Sequence, residues 1–350
     1  MKRRFIVTAD DYGVSPIIDM AIEEAVRQGI VTSVACFANG TDHKGKFTMR
    51  NAKALKKKFP KVAIGCHFTI TSGKRVSQTQ SSLGQKGNEK YFRMATSQHS
   101  ERATDQELID ELQAQVDQFI NAGLVIEHFS DHMGILSYTK KGLNALINVI
   151  SKYSKSINKE VPMRNPVFIS CVNGLKSDCL DSSSLVKKAG LGLVFRNTGL
   201  KVTNLFRKGA WESMKLSTRA LNASLRKIHE AEIPTTDYFI ESFYANSSKE
   251  TLQCIQRNVP GKRYHLHEKK SGISGPLIPR VVTAELMVHL AVASDVDLGR
   301  DAYDKAVADL KIHGGVAIGY LKKKRVEEFN MLKCHFKNSF AESELGGFSN

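Results

Sequence analysis

Short apolar runs alternate along this chain with stretches whose apolar residues recur at helical spacing. The first run is Phe5-Ile6-Val7, which ends in Thr8-Ala9-Asp10-Asp11-Tyr12-Gly13 and predicts a buried strand followed by a turn. Ser15 and Pro16 follow as a helix N-cap and first helical position. Ile17, Ile18, Ala21, Ile22, Ala25 and Val26 then keep helical spacing until Gly29. Residues 31–37 predict a second strand, 52–58 a short basic helix, and Val62-Ala63-Ile64 a third strand ending at Gly65-Cys66-His67. Strand, helix, strand, helix, strand is the pattern of a parallel sheet or barrel. In such folds chemistry gathers at the C-terminal ends of strands, where Asp10, Asp11 and His67 fall.

Residues 72–102 break the pattern. They are rich in Ser, Gln, Lys and Gly, which predicts a polar loop or lid. Thr104 and Glu107 match a capping box, and Leu108, Leu112, Val116, Phe119 and Ile120 predict an amphipathic helix ending at Gly123. A strand is expected over 124–129, followed at once by Ser130-Asp131-His132. Farther along, residues 143–153 and 301–310 read as helices, and 167–172, 191–195 and 316–318 as strands. Leu286-Met287-Val288 is an apolar run ending in His289. No repeat or linker divides the chain. The expectation is one domain over residues 1–320, with 321–350 as a basic and polar C-terminal extension.

Composition narrows the class. With 350 residues, 41% hydrophobic and 25% charged, the chain is globular rather than disordered. No apolar run approaches the roughly 18 residues of a membrane span. The polar N-terminal stretch does not read as a secretory leader. The six cysteines contain no C-x-x-C pair, which suggests free thiols in a reducing compartment. A cytoplasmic protein is expected. The net charge of +16 raises nucleic acid as a partner. However, Lys56-Lys57-Lys58 and Lys322-Lys323-Lys324-Arg325 carry no nucleic-acid motif and no interleaved aromatics, so nucleic acid is not expected.

Asp10, Asp11, His67, His132 and His289 each follow an apolar run. One Asp and two His delivered from separate strand ends make an open metal coordination set, and a second carboxylate beside it can act on a bound water. The same residue types also serve plain structural ends: an Asp pair can cap a helix, and a lone His can be a hydrogen-bonded core residue. Neighbouring strand residues face opposite ways, so Cys66 is expected in the core rather than beside His67.

The ordered blocks add information. Thr8-Ala9-Asp10-Asp11-Tyr12-Gly13, Gly65-Cys66-His67-Phe68-Thr69-Ile70-Thr71-Ser72-Gly73 and His128-Phe129-Ser130-Asp131-His132 resemble the YdjC-like carbohydrate deacetylases, the chitooligosaccharide deacetylase family. The resemblance continues through Met163-Arg164, Thr236-Asp237-Tyr238-Phe239 and Glu285-Leu286-Met287-Val288-His289. It implies an irregular (β/α) barrel, TIM-barrel-like and polysaccharide-deacetylase-like. It also implies one divalent metal, Zn²⁺ or Mg²⁺, a small N-acetylated carbohydrate substrate and a homodimer. By position, Asp11, His67 and His132 would ligate the metal, Asp10 would be the base and His289 the acid. Arg164 would bind substrate or orient groups at the site. Two blocks depart from the family pattern. The third reads H-F-S-D-H instead of H-x-D-S-H, and the late H-P-G is His289-Leu290-Ala291. These departures keep open a divergent member that binds sugar or metal without turnover. A nucleic-acid-binding protein is a third reading, carried by charge alone.

Overall fold

The computed structural model of the chain describes residues 3–40, 49–79, 81–85, 88–92, 103–137, 139–166, 168–169, 223–240, 252, 282–292, 320–340 and 344–348. The elements expected at 191–195, 301–310 and 316–318 lie outside them, as do residues 93–102 of the polar stretch.

Strand β1 (Arg3–Tyr12) is buried at every position from Phe5 to Tyr12. Such a run suits a central parallel strand covered on both faces. It pairs with β2 (Ser33–Cys36) on one side. Beyond β2 come β3 (Ala63–Phe68) and β6 (Phe129–Asp131). On its other side β1 pairs with β9 (Val282–Val288), then β8 (Tyr238–Ile240) and β7 (Phe168–Ile169). All these pairings are parallel, and together they make a curled seven-stranded sheet in the order β6-β3-β2-β1-β9-β8-β7. Its outer edges meet through the segment just ahead of β7. Phe129 bridges Met163 in parallel, the Phe129 N–H donates to Pro162 O at 2.9 Å, and the Met163 N–H donates to Pro234 O at 2.8 Å. The result is the expected TIM-barrel-like α/β architecture.

The helices form where apolar spacing and end signals coincide. In α1 (Pro16–Arg27), the predicted stripe from Ile17 to Val26 is buried. The Ser15 carbonyl takes the first N–H groups, while its hydroxyl makes no cap bond. Basic α2 (Arg50–Lys58) buries only Ala52 and Leu55. In α3 (Asp105–Asn121) the capping box is complete: Thr104 Oγ1 accepts the Glu107 N–H at 3.1 Å, and Glu107 accepts the Thr104 N–H at 2.6 Å. Helix α4 (Lys140–Ser156) buries Leu143, Leu146, Val149, Ile150 and Tyr153, and packs on α3.

Two expectations need correction, and one gains detail. The strand expected at 124–129 begins only at Phe129. Ahead of it the Glu127 carboxylate, held by Lys56, takes the Ile64 N–H at 2.9 Å, so a side chain replaces part of the ladder. The polar stretch is not structureless: β4 (Gly84–Gln85) and β5 (Asn88–Phe92) form an antiparallel pair. Glu111 accepts the N–H groups of Val76 and Ser77, and Gln115 bonds both N–H and C=O of Thr69, which fastens this segment to α3. The C-terminal segment is not an appendage. Helix α5 (Val326–His335) buries Phe329 and Leu332. Farther on, Phe340 packs on Phe5, Leu345 bridges Phe5, and Phe348 stacks on His128 at 4.4 Å. His128 fills space that Gly65 leaves: a Cβ at residue 65 would lie 2.2 Å from its ring.

Candidate metal and catalytic site

The C-terminal strand ends converge on one buried polar cluster. β1 reaches it through an irregularity. Ala9 is in register with Val34 but Tyr12 with Cys36, so β1 carries one extra residue there. Asp11 sits in that bulge with φ of 70°. A regular strand would send Asp10 and Asp11 to opposite faces, whereas a bulge re-aims one of them. Both carboxylates therefore reach His67, with Asp10 Oδ2 3.8 Å and Asp11 Oδ1 3.5 Å from its Nε2. The Asp19 carboxylate accepts the Gly13 N–H at 2.7 Å and secures the turn behind the pair.

His67 lies in β3, and its Nδ1 meets Ser130 Oγ at 2.7 Å. With Nδ1–H donated to that oxygen, Nε2 presents its lone pair to the carboxylates. The exchanged Ser in the third block thus orients His67 directly. Asp131, the residue displaced by the exchange, accepts the N–H groups of Leu136 and Ser137 and shapes the loop after His132. His132 reaches in with Nδ1, 3.3 Å from Asp11 Oδ1. The Phe37 ring stands edge-on to both imidazoles, with centroids 5.2 Å from each. Cys66 lies in the core, as its neighbour's orientation predicted.

Asp11, His67 and His132 each offer one donor atom, and these atoms all lie within 4.8 Å of one another. Asp11 Oδ1 is buried and has no hydrogen-bond partner among the described residues. A desolvated carboxylate oxygen facing two imidazole nitrogens is a costly arrangement without a cation. Two nitrogens and one carboxylate oxygen suit a divalent ion that keeps open positions. The site therefore fits a metal, which the three side chains could hold.

Arg164 is buried and spends its donors on protein carboxylates. Its two Nη atoms hold both oxygens of Asp10 at 2.7 and 2.8 Å, while Nε and Nη2 reach Glu285 Oε1. These contacts tie Asp10 and Glu285 to one guanidinium. Burial alone would push Asp10 up, but Arg164 and His67 outweigh it and bring the carboxyl down to about 2. Asp11 is likewise held well below the carboxylate range, because Arg325 and the two histidines overcome its desolvation. His289 stands immediately after β9. Burial, with the positive charge of Arg325, pushes its imidazole down to about 3.

Three contributors escaped the sequence reading: Glu285, Arg325 and Glu328. Arg325 Nη2 donates to Asp11 Oδ2. Glu328 accepts the His289 N–H at 2.7 Å. The signal available was their i, i+3 spacing at the start of a helix, within a segment that composition marked as an extension. Glu285 sat inside a block already noted, three residues before the β9 end.

Several known proteins resemble this chain. A carbohydrate deacetylase of Brevibacillus brevis is 32% identical over 165 residues, covering 47% of this chain and 59% of that protein. A chitooligosaccharide deacetylase of Salmonella paratyphi B is 38% identical over 78 residues, 22% of this chain and 29% of that protein. The match thus spans about three fifths of the length of the Brevibacillus relative. The crystal structure of a proposed cellobiose-phosphate cleavage protein from Enterococcus faecalis V583 superposes with a TM-score of 0.58 at 19% identity, over 100% of this chain and 98% of that one. That likeness concerns the fold. The family model described as YdjC-like protein matches residues 4–336, so this chain belongs to the YdjC-like family.

Proposed function

We propose that this protein is a metal-dependent carbohydrate N-deacetylase, which releases acetate from an N-acetylated amino sugar or short oligosaccharide. The observation that carries this reading is the convergence of Asp11 Oδ1, His67 Nε2 and His132 Nδ1 with a second carboxylate, Asp10, beside them. The names of the matched relatives support the substrate class. Asp11, His67 and His132 would hold one divalent cation, Zn²⁺ or Mg²⁺. When bound, such an ion polarises the amide carbonyl and lowers the pKa of water at the site.

The remaining roles fall to the chain itself. Asp10 takes the proton of the attacking water. Arg164 fixes the Asp10 carboxylate on both oxygens and keeps it ionised, which orients the base at the cost of basicity. His289 is neutral in the free site at neutral pH. The proton that Asp10 takes from water must therefore reach the departing sugar nitrogen by way of His289, whose proton affinity rises as negative charge builds on the tetrahedral centre; His289 then returns to its neutral form. Residues 72–79, fastened to α3, and the β4–β5 pair are candidates to cover the sugar. One domain holds the whole machinery, and a cytoplasmic homodimer fits the family reading. No described helix is long and apolar enough to cross a membrane.

The test is acetate release from N-acetylated chitooligosaccharides by the metal-loaded protein and by Asp10→Asn. Asp10→Asn is expected to keep the metal and lose at least a hundredfold in kcat, the scale of a general base. Equal turnover by the two proteins would remove Asp10 from the mechanism. Metal binding without turnover on any N-acetylated sugar would favour the binding-only member of the family.

A further inference from the structure

The C-terminal helix enters the site with two charges on one face. Arg325, 2% exposed, precedes α5, and Glu328, fully buried, lies in its first turn. Residues three apart on a helix share a face. Arg325 Nη2 donates to Asp11 Oδ2, across 314 residues of chain. Glu328 Oε1 accepts the backbone N–H of His289 at 2.7 Å. One helical turn therefore touches both halves of the cluster: the carboxylate facing the two histidines, and the residue that follows β9.

The division of labour on Asp11 is specific. Oδ2 is taken by the guanidinium, while Oδ1 has no hydrogen-bond partner among the described residues and faces His67 and His132. A carboxylate held this way offers one oxygen, in a fixed direction, to a cation between the imidazoles. Asp11 also sits in the left-handed region, a backbone conformation that a residue with a Cβ adopts less readily and that its surroundings must hold. A buried charged contact from a distant element is one such hold. His289 lies where the β9 ladder has ended, and Glu328 supplies an acceptor for its N–H there.

We propose that the Arg325–Glu328 turn is a two-pronged positioning clamp. Arg325 makes Asp11 a one-oxygen metal ligand, and Glu328 sets the place of His289. The proposal rests on the reading of Asp11 as a ligand and His289 as a proton carrier. Neither clamp residue touches the reacting atoms; both act through another side chain or backbone group.

The two prongs act on different quantities, which a general loss of structure would not separate. The experiment measures the Zn²⁺ dissociation constant by chelator competition, together with kcat and KM for acetate release. The proteins are the full-length wild type, His67→Ala, Arg325→Met, Arg325→Lys, Glu328→Ala and Glu328→Gln. Arg325→Met is expected to weaken Zn²⁺ binding about tenfold or more, the usual effect of losing a ligand's partner. Arg325→Lys keeps the cation without the planar fork and should weaken it at least threefold. It also reads the first prong if the Met variant does not fold. Glu328→Ala should leave the Zn²⁺ constant within about twofold yet cut kcat about tenfold at unchanged KM. Glu328→Gln, whose amide oxygen still accepts from the His289 N–H, should recover most of that loss. An unchanged or tighter Zn²⁺ constant in both Arg325 variants overturns the first prong. Equal losses of metal and kcat in Glu328→Ala overturn the second. Wild type binding no Zn²⁺, or binding it equally in His67→Ala, overturns the metal-site reading itself. Zn²⁺ that His67→Ala loses and the Arg325 variants keep overturns the clamp alone.

Discussion

At the residue scale, the site depends on partners that point functional atoms. Ser130 is the clearest case, because it alone occupies Nδ1 of His67 among the described contacts. Ser130→Ala frees the ring to rotate and to change tautomer. Metal affinity should fall about tenfold, while Ser130→Thr keeps most of it, as measured by chelator competition. Equal affinity in Ser130→Ala would mean that packing against Phe37 alone holds the imidazole. The identities of Asp10, Asp11, His67 and His132 were legible because each follows an apolar run. Their roles were not separable by spacing alone, since the bulge at Asp11 breaks the alternation on which strand patterns rest. Arg164 was legible as a site residue, yet its partners were not. A guanidinium shared by Asp10 and Glu285 joins β1 to β9 through contacts that no sequence period encodes.

At the scale of elements, local rules carried furthest where apolar period and capping agree. Helix α3 satisfies both, with a complete capping box and a buried stripe of Leu108, Leu112, Val116 and Phe119. Thr104→Ala should cost about 1 kcal/mol in urea unfolding, the ordinary value of an N-cap. Leu112→Ala should cost about 2–5 kcal/mol, the value of a buried leucine. A Thr104→Ala loss below a few tenths would show that the paired Glu107 holds the end by itself. The rules failed where an element's backbone is held by a distant side chain. Glu127 stands in for the ladder at Ile64, and Glu111 and Gln115 hold residues 69–77. Polar residues there look like loop filler in the sequence, although they are buried acceptors in the fold. The same blindness concealed α5, whose short, highly basic approach masks the apolar contacts of Phe329 and Leu332.

At the scale of the whole molecule, packing around the curled sheet buries several charged groups. Asp19, behind the Asp10–Asp11 turn, is one of them. Burial pushes its carboxyl up to about 7, with Glu23 adding to the rise, although the Gly13 N–H and Asn51 oppose it. A group that binds its proton more tightly folded than unfolded gives its full contribution below the unfolded value near pH 4. That contribution is lost as the pH rises to about 7. Wild-type stability relative to Asp19→Asn should therefore fall across that window, by at most about 4 kcal/mol. Urea unfolding at pH 4.5 and 7.5 reads it, and parallel curves for the two proteins would contradict it. The alternation of strands and helices announced the barrel early. Its closure through residues 161–165 and the return of the C-terminal segment to β1 were not announced, because both depend on single bridges between distant residues.

The most direct measurement is the metal content of the purified protein beside His67→Ala, with acetate release from N-acetylated chitooligosaccharides on the same samples. The site as built predicts one equivalent of divalent metal in the wild type, its loss in the variant, and acetate release that follows the metal. A wild type that takes up no stoichiometric Zn²⁺ or Mg²⁺, or a His67→Ala variant that holds as much as the wild type, would contradict it.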